Sequence, residues 1–126
     1  TGFLARDELF AEMQRAEVFV FLSTKASERL PNVVKEAMLA ETACLVSRTQ
    51  DIDQLVTPGV TGEIVDELAA EAVAARLLAL LAATDRAEMG RRAASHIRTA
   101  FSATAAMEVY LAGWRQPRRR SPAMAA

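Results

Sequence analysis

AEVFVFLSTKASERLPNVVKEAMLAETACLVS, residues 16–47, reads as strand, loop, helix and strand. Val18 to Leu22 is a continuous apolar run of branched and aromatic residues, the composition of a strand buried on both faces. Ser23 to Leu30 is polar and loop-like. Pro31 suits the first helical position, where its missing N–H costs nothing. Val33, Val34, Ala37, Met38 and Leu39 then carry a helix to about Ala40. Ala43 to Ser47 is a second apolar run. A strand, a crossover helix and a second strand make a parallel unit.

Outward from this unit the same alternation continues. Upstream, Leu9, Phe10 and Met13 fall at helical spacing among charges, which predicts an amphipathic helix over Arg6–Ala16, with Asp7 near its positive end. Downstream, Arg48–Asp51 is a polar loop and Ile52–Val56 a short helical turn that ends before Pro58-Gly59. Thr61–Val65 reads as a third strand. Leu68–Ala83, mostly Ala and Leu, is a strong helix former. Asp85 and Glu88 have the spacing of a capping box, and Met89, Ala93, Ile97 and Phe101 then fall four apart along one helix face. A last helix is expected over Ser102–Trp114, and the Arg-, Pro- and Ala-rich residues 115–126 are expected to be a disordered tail. The fold expected is therefore α/β: a partial Rossmann-like parallel sheet of about three strands, with flanking helices and a helical C-terminus, in one domain over residues 1–114. An independent doubly wound sheet usually has more strands. The chain also opens on Thr1, so we expect sequence outside it to complete the sheet.

Composition narrows the chemistry. The chain has 126 residues, 52% of them hydrophobic, and a formal net charge of −1, so it can build a core and carries no global field for nucleic acid. No apolar run approaches the roughly 20 residues of a spanning helix. A single cysteine, Cys44, excludes an internal disulfide, suits a reducing cytoplasm and reads as small core filler. His96 is the only histidine and reads as a helix-surface residue, which leaves no zinc set and no His-dependent proton transfer. We expect no metal and no cofactor. Asp51-x-Asp53 is a weak match on a turn.

In an open parallel sheet, ligands bind beyond the carboxyl ends of the strands. The Ser23–Leu30 loop lies there, and the next helix points its N-terminus into the same crevice. The N–H groups of Asn32, Val33 and Val34, with the helix dipole, suit a diphosphate. Asn32 and Glu36 are four apart and share one helix face, distinct from the Val33/Ala37 face expected to meet the sheet. Glu36 lies about 6 Å further along the axis, at 1.5 Å per residue, where a carboxylate can accept from a ribose diol. Glu28, before the helix, faces the other end of such a ligand and can accept from a sugar. Each has a plainer reading as well: Glu36 as an exposed helix residue, Glu28 as a partner of Arg29 or Lys25, and Lys25 as a solvated loop lysine. Two carboxylates can also serve a hydrolase, but no groove aromatics stand by to stack a sugar.

Glu28-Arg29-Leu30-Pro31-Asn32-Val33-Val34-Lys35-Glu36 resembles the Glu-x₇-Glu signature of retaining glycosyltransferases of the GT-B fold, group-one, family-four type. Ala16–Val20 is similar to that family's A-D-V-F-V strand and Cys44–Ser47 to its P-V-V-A-T strand. Ile52–Val56 stands where its I-P-E-L-V turn falls, Gly59–Gly62 is similar to G-x-T-G, and Phe101-Ser102 to F-S-W. The likeness runs from Gly2 to Trp114. It implies the donor-binding half of such an enzyme, transferring a glycosyl unit from a nucleotide-diphosphate sugar to an acceptor hydroxyl with retention, without a metal. By the same resemblance Glu36 binds ribose, Glu28 contacts the donor sugar as the candidate catalytic carboxylate, and Leu30, Pro31, Asn32 and Val33 form the diphosphate segment. The basic pair, the base-binding strand and the acceptor domain of the family fall upstream, so the isolated chain is expected to bind donor feebly and to be inactive.

The sequence departs from the pattern at several points. Arg29 replaces a Gly, Gln50-Asp51 replaces Gly-Gly, Asp53-Gln54 replaces Pro-Glu, and Ala40-Glu41-Thr42 lacks the glycine that usually ends the helix. These losses keep open a second reading, a non-catalytic paralogue that only binds a nucleotide or a partner chain. The acceptor, whether glycan, lipid or small molecule, is not legible. Arg115 with Arg118–Arg120 either lies against anionic lipid, which would make the protein peripheral to a membrane, or is a solubilising tail.

Overall fold

The computed structural model describes residues 2–25 and 29–101. Its elements run α1 (Arg6–Arg15), β1 (Val18–Phe21), α2 (Asn32–Leu39), β2 (Ala43–Ser47), a 3₁₀ turn (Ile52–Gln54), β3 (Gly62–Val65), α3 (Ala70–Ala82) and α4 (Arg86–Ala100). The strands form one parallel sheet in the order β1-β2-β3, with Val18 opposite Ala43 and Cys44 opposite Gly62. The fold is α/β, a Rossmann-like run of three parallel strands with flanking helices. The helix expected over Ser102–Trp114, the tail and Glu28 lie outside the described residues.

Side-chain alternation along β2 divides the core into two layers. Cys44 and Val46 point to one face, with Ile64 of β3, and pack against Val34, Ala37 and Met38 of α2, Ala93 and Ile97 of α4, and Met13 of α1. Ala43 and Leu45 point to the other, with Val65, and meet Leu80, Val73 and Leu77 of α3 and Met89 of α4. Every residue of β2 is buried. β1 corrects the expectation of a strand buried on both faces: Phe19 and Phe21 pack on the α2 side, but Val20 on the α3 side is 40% exposed. The cause is topological, because β1 is an edge strand and α3 lies under β2 and β3.

Three local expectations also change. Pro31 is the N-cap of α2 rather than its first helical residue; its φ of −63° and ψ of 129° are extended. The face of α2 that meets the core is Val34, Ala37 and Met38, while Val33 is only half-buried beside it. At Asp85 no capping bond forms, because the backbone there is not extended (φ −98°, ψ 13°). The Asp85 carboxylate lies 3.5 Å from Arg92, and Glu88 accepts from Arg91 instead.

The end of α2 is better formed than its sequence suggests. Thr42 N–H donates to Ala37 carbonyl at 3.1 Å and Glu41 N–H to Met38 carbonyl at 3.0 Å, the paired bonds of a Schellman motif. Glu41 takes the left-handed position with φ 62°, where glycine is usual. The Thr42 hydroxyl then donates to Met13 carbonyl, tying α1 to the start of β2.

Candidate functional site

The loops beyond β1 and β2 are tied together twice. At the strand ends, Ser23 N–H donates to Ser47 Oγ at 2.7 Å, and that hydroxyl donates to Ser23 carbonyl at 2.9 Å. Further out, the Arg29 guanidinium donates through Nε to Asp51 Oδ2 at 2.9 Å, and its Nη2 contacts the same oxygen. Asp51 holds φ 64°, the left-handed region that glycine supplies without strain. Arg29 and Asp51 are two of the charged replacements at positions where the family pattern has glycine, and they neutralise each other.

α2 begins three residues after Arg29, at Asn32. Pro31 is buried, Asn32 is exposed and Val33 half-buried. Pro31 carbonyl accepts Val34 N–H at 3.2 Å and Lys35 N–H at 3.4 Å. Among the described residues, the helix-start amides with no recorded partner are therefore those of Asn32 and Val33, and Val34 drops out of the expected set. Leu30, half-buried, packs on the core and anchors the approach to the helix. The Asn32 side-chain oxygen accepts from Lys35 Nζ at 3.4 Å, and the same ammonium sits 5.3 Å from the centre of the Phe101 ring.

Glu36 is half-buried, one turn along α2 from Asn32. It lines a cleft of about 240 Å³ between α1 and α2, whose other walls are Arg6, Asp7, Leu9, Phe10, Met13 and Leu39. The opposite wall of the Glu36 site is thus supplied by α1, an element that sequence reasoning gave no role. The amphipathic stripe Leu9-Phe10-Met13 was the signal for it: Met13 is buried, while Leu9 and Phe10 remain partly open to this cleft.

A second hollow, of about 400 Å³, lies at the carboxyl ends of β1 and β2 between Ser23-Thr24-Lys25 and Arg48-Thr49-Gln50. Arg48 donates to Asp66 at 2.8 Å and to Asp53 at 2.6 Å, and these hydrogen bonds raise its already high pKa. Among the described residues, no three of His, Cys, Asp and Glu gather where they could hold a metal ion, and no helix is long and apolar enough to cross a membrane. His96 corrects its reading as a plain surface residue. It is half-buried, and its Nε2 lies 2.8 Å from Gln54 carbonyl, so it carries a hydrogen there and ties α4 to the 3₁₀ turn.

The family described as glycosyl transferases group 1 matches residues 1–96. The chain belongs to this family. No curated protein matches it. The match spans every element from α1 through most of α4, so the α2 N-terminus, Glu36 and the hollow at the strand ends all lie inside the glycosyltransferase region. Group 1 membership supports glycosyl transfer as the general chemistry.

Proposed function

We propose that this chain binds the nucleotide-diphosphate end of a glycosyl donor and serves transfer of the glycosyl unit to an acceptor hydroxyl with retention. One observation carries the reading: a half-buried carboxylate, Glu36, lines a cleft one helical turn from the Asn32 and Val33 amides, which have no recorded partner among the described residues. The Asn32 and Val33 N–H groups, with the positive end of the α2 dipole, take the diphosphate. Pro31, by its fixed φ and buried ring, and Leu30, by packing on the core, hold those amides in place. Glu36 accepts the two ribose hydroxyls, and the apolar wall of α1 covers the nucleoside. Glu28 contacts the sugar.

The catalytic contribution of such a site is positioning and charge stabilisation. A donor held at ribose and diphosphate presents its anomeric carbon in one orientation. The amides, fixed before the reaction, stabilise the charge that grows on the departing diphosphate. A second reading, binding without transfer, is favoured by the Arg29–Asp51 pair, which sets two charged side chains beside the α2 N-terminus.

Calorimetric titration of the full chain with UDP, GDP and ADP tests the proposal. At least one should bind, and Glu36→Gln should weaken it about tenfold, the equivalent of about 1.4 kcal/mol of hydrogen bonding to a charged group. Equal binding by both proteins, or no binding by wild type, overturns it.

A further inference from the structure

α1 carries charged side chains at Arg6, Asp7, Glu8, Glu12 and Arg15. Glu8 accepts the Ala5 N–H at 3.0 Å, and Glu12 pairs with Arg15. Arg6 and Asp7 enter no ion pair among the described residues. Of the five, these two are the ones that line the α1–α2 cleft with Glu36. The surface they share is otherwise apolar: Leu9 is 37% exposed, Phe10 and Leu39 are half-buried, and Met13 is buried.

At about 240 Å³ the cleft falls just below the roughly 300 Å³ at which pockets for whole ligands begin. It suits part of a larger ligand, a flat base with its ribose. Leu9 and Phe10 offer the base an apolar surface, and Phe10 an aromatic one.

Which base fits follows from what the two charges can do. An ionised Asp only accepts, through two adjacent oxygens; an Arg only donates, through a planar fork. Asp7 therefore matches a base edge with two donors side by side, and Arg6 an edge with two acceptors. Guanine has both: N1–H beside the 2-amino group, and O6 beside N7. Adenine sets a donor next to an acceptor on each of those edges. Cytosine sets its amino group next to the N3 acceptor. In uracil the single N3–H lies between two carbonyls, which would face the carboxylate.

We propose that Arg6 and Asp7 select guanine, with Asp7 accepting from N1–H and the 2-amino group and Arg6 donating to O6 and N7. The donor is then a guanosine diphosphate sugar. Placement of the nucleoside in this cleft rests on the donor reading above; the donor reading itself holds for any base.

The test is calorimetric titration of the full chain with the diphosphates of guanosine, inosine, xanthosine, adenosine and uridine. Inosine lacks only the 2-amino group of guanosine, and xanthosine has an oxygen in its place. Wild type should bind GDP tightest, and the inosine form about tenfold more weakly, the scale of one bidentate contact. In Asp7→Asn the side chain accepts from N1–H and donates to the oxygen at position 2, so this variant should prefer the xanthosine form to GDP. A merely structural role for Asp7 would weaken both alike. Arg6→Met should weaken the guanosine and inosine forms equally, by about tenfold. Both changes fall on exposed side chains, so melting temperatures should stay near that of wild type. The proposal is overturned if wild type binds ADP or UDP as tightly as GDP, or if Asp7→Asn still prefers GDP to the xanthosine form. ADP or UDP binding that falls with Glu36→Gln would sink the choice of guanine and keep the donor reading; no binding of any nucleotide would sink both.

Discussion

Glu41 and Asp51 hold φ of 62° and 64°, and each is kept there by bonds its neighbours make. A left-handed residue with a side chain costs about 1–2 kcal/mol. Glu41→Gly should therefore raise stability by about 1 kcal/mol, read as a higher urea midpoint at constant slope. Asp51→Gly should gain less, because it also gives up the exposed pair with Arg29, worth about 0–1 kcal/mol. Cys44 makes a pH prediction. Burial pushes its thiol from 9.0 up to about 12. The folded state keeps a proton that the unfolded chain releases above pH 9, so this contribution is complete below pH 9 and is lost as pH rises toward 12. The stability gap between wild type and Cys44→Ala should shrink by about 1.4 kcal/mol per pH unit above 9. A gap that stays constant from pH 8 to pH 10.5 would contradict the burial. The Arg29–Asp51 pair itself was not legible in sequence, since its partners are 22 residues apart and meet only because the ends of β1 and β2 lie side by side.

The turn between α2 and β2 lies close against α4. A Cβ at Gly90 of α4 would fall 2.0 Å from the Glu41 carbonyl oxygen, which is backbone and cannot swing aside. Gly90→Ala should cost about 2–3 kcal/mol, at the upper end of overpacking penalties, and would show as a lowered urea midpoint. Gly62 is similar, its added Cβ meeting Cys44 carbonyl at 2.8 Å across the β2–β3 ladder. The elements themselves were legible. Ala43–Ser47 was read to the residue, because a run buried on both faces shows as unbroken apolar sequence. Other ends moved by one or two residues, as at Pro31, where the fixed φ of proline is compatible with either an N-cap or a first helical position. The Schellman end of α2 was not legible, because its usual signal, glycine, is replaced by Glu41 and tertiary contact holds the motif. The capping box at Asp85 was legible in spacing and absent in structure, because the Asp85 backbone is not extended and its carboxylate lies by Arg92 instead.

At the scale of the whole molecule, two apolar layers on the two faces of β2 hold the site's loops in place. Leu45, fully buried in the smaller layer, should cost about 3 kcal/mol on change to Ala. Such a loss is structural and should lower nucleotide affinity only in proportion to the unfolded fraction, unlike Glu36→Gln. The placement of α2 behind β1 was foreseeable from the order of elements, and with it the position of Asn32 and Val33 at the strand ends. The wall that α1 sets opposite Glu36 was not, since the direction in which an amphipathic helix docks depends on what packs beneath it. The account as a whole depends on one claim, that the start of α2 and Glu36 together receive a nucleoside diphosphate. The most direct measurement is a map of amide shifts across the labelled chain on addition of UDP, GDP or ADP. The account predicts that the largest changes fall at Asn32, Val33 and Glu36, with Leu9 and Phe10 moving as the nucleoside enters the α1–α2 cleft. Changes confined to the opposite end of the sheet, around Glu41 and Arg86, or no changes with any of the three, would contradict it.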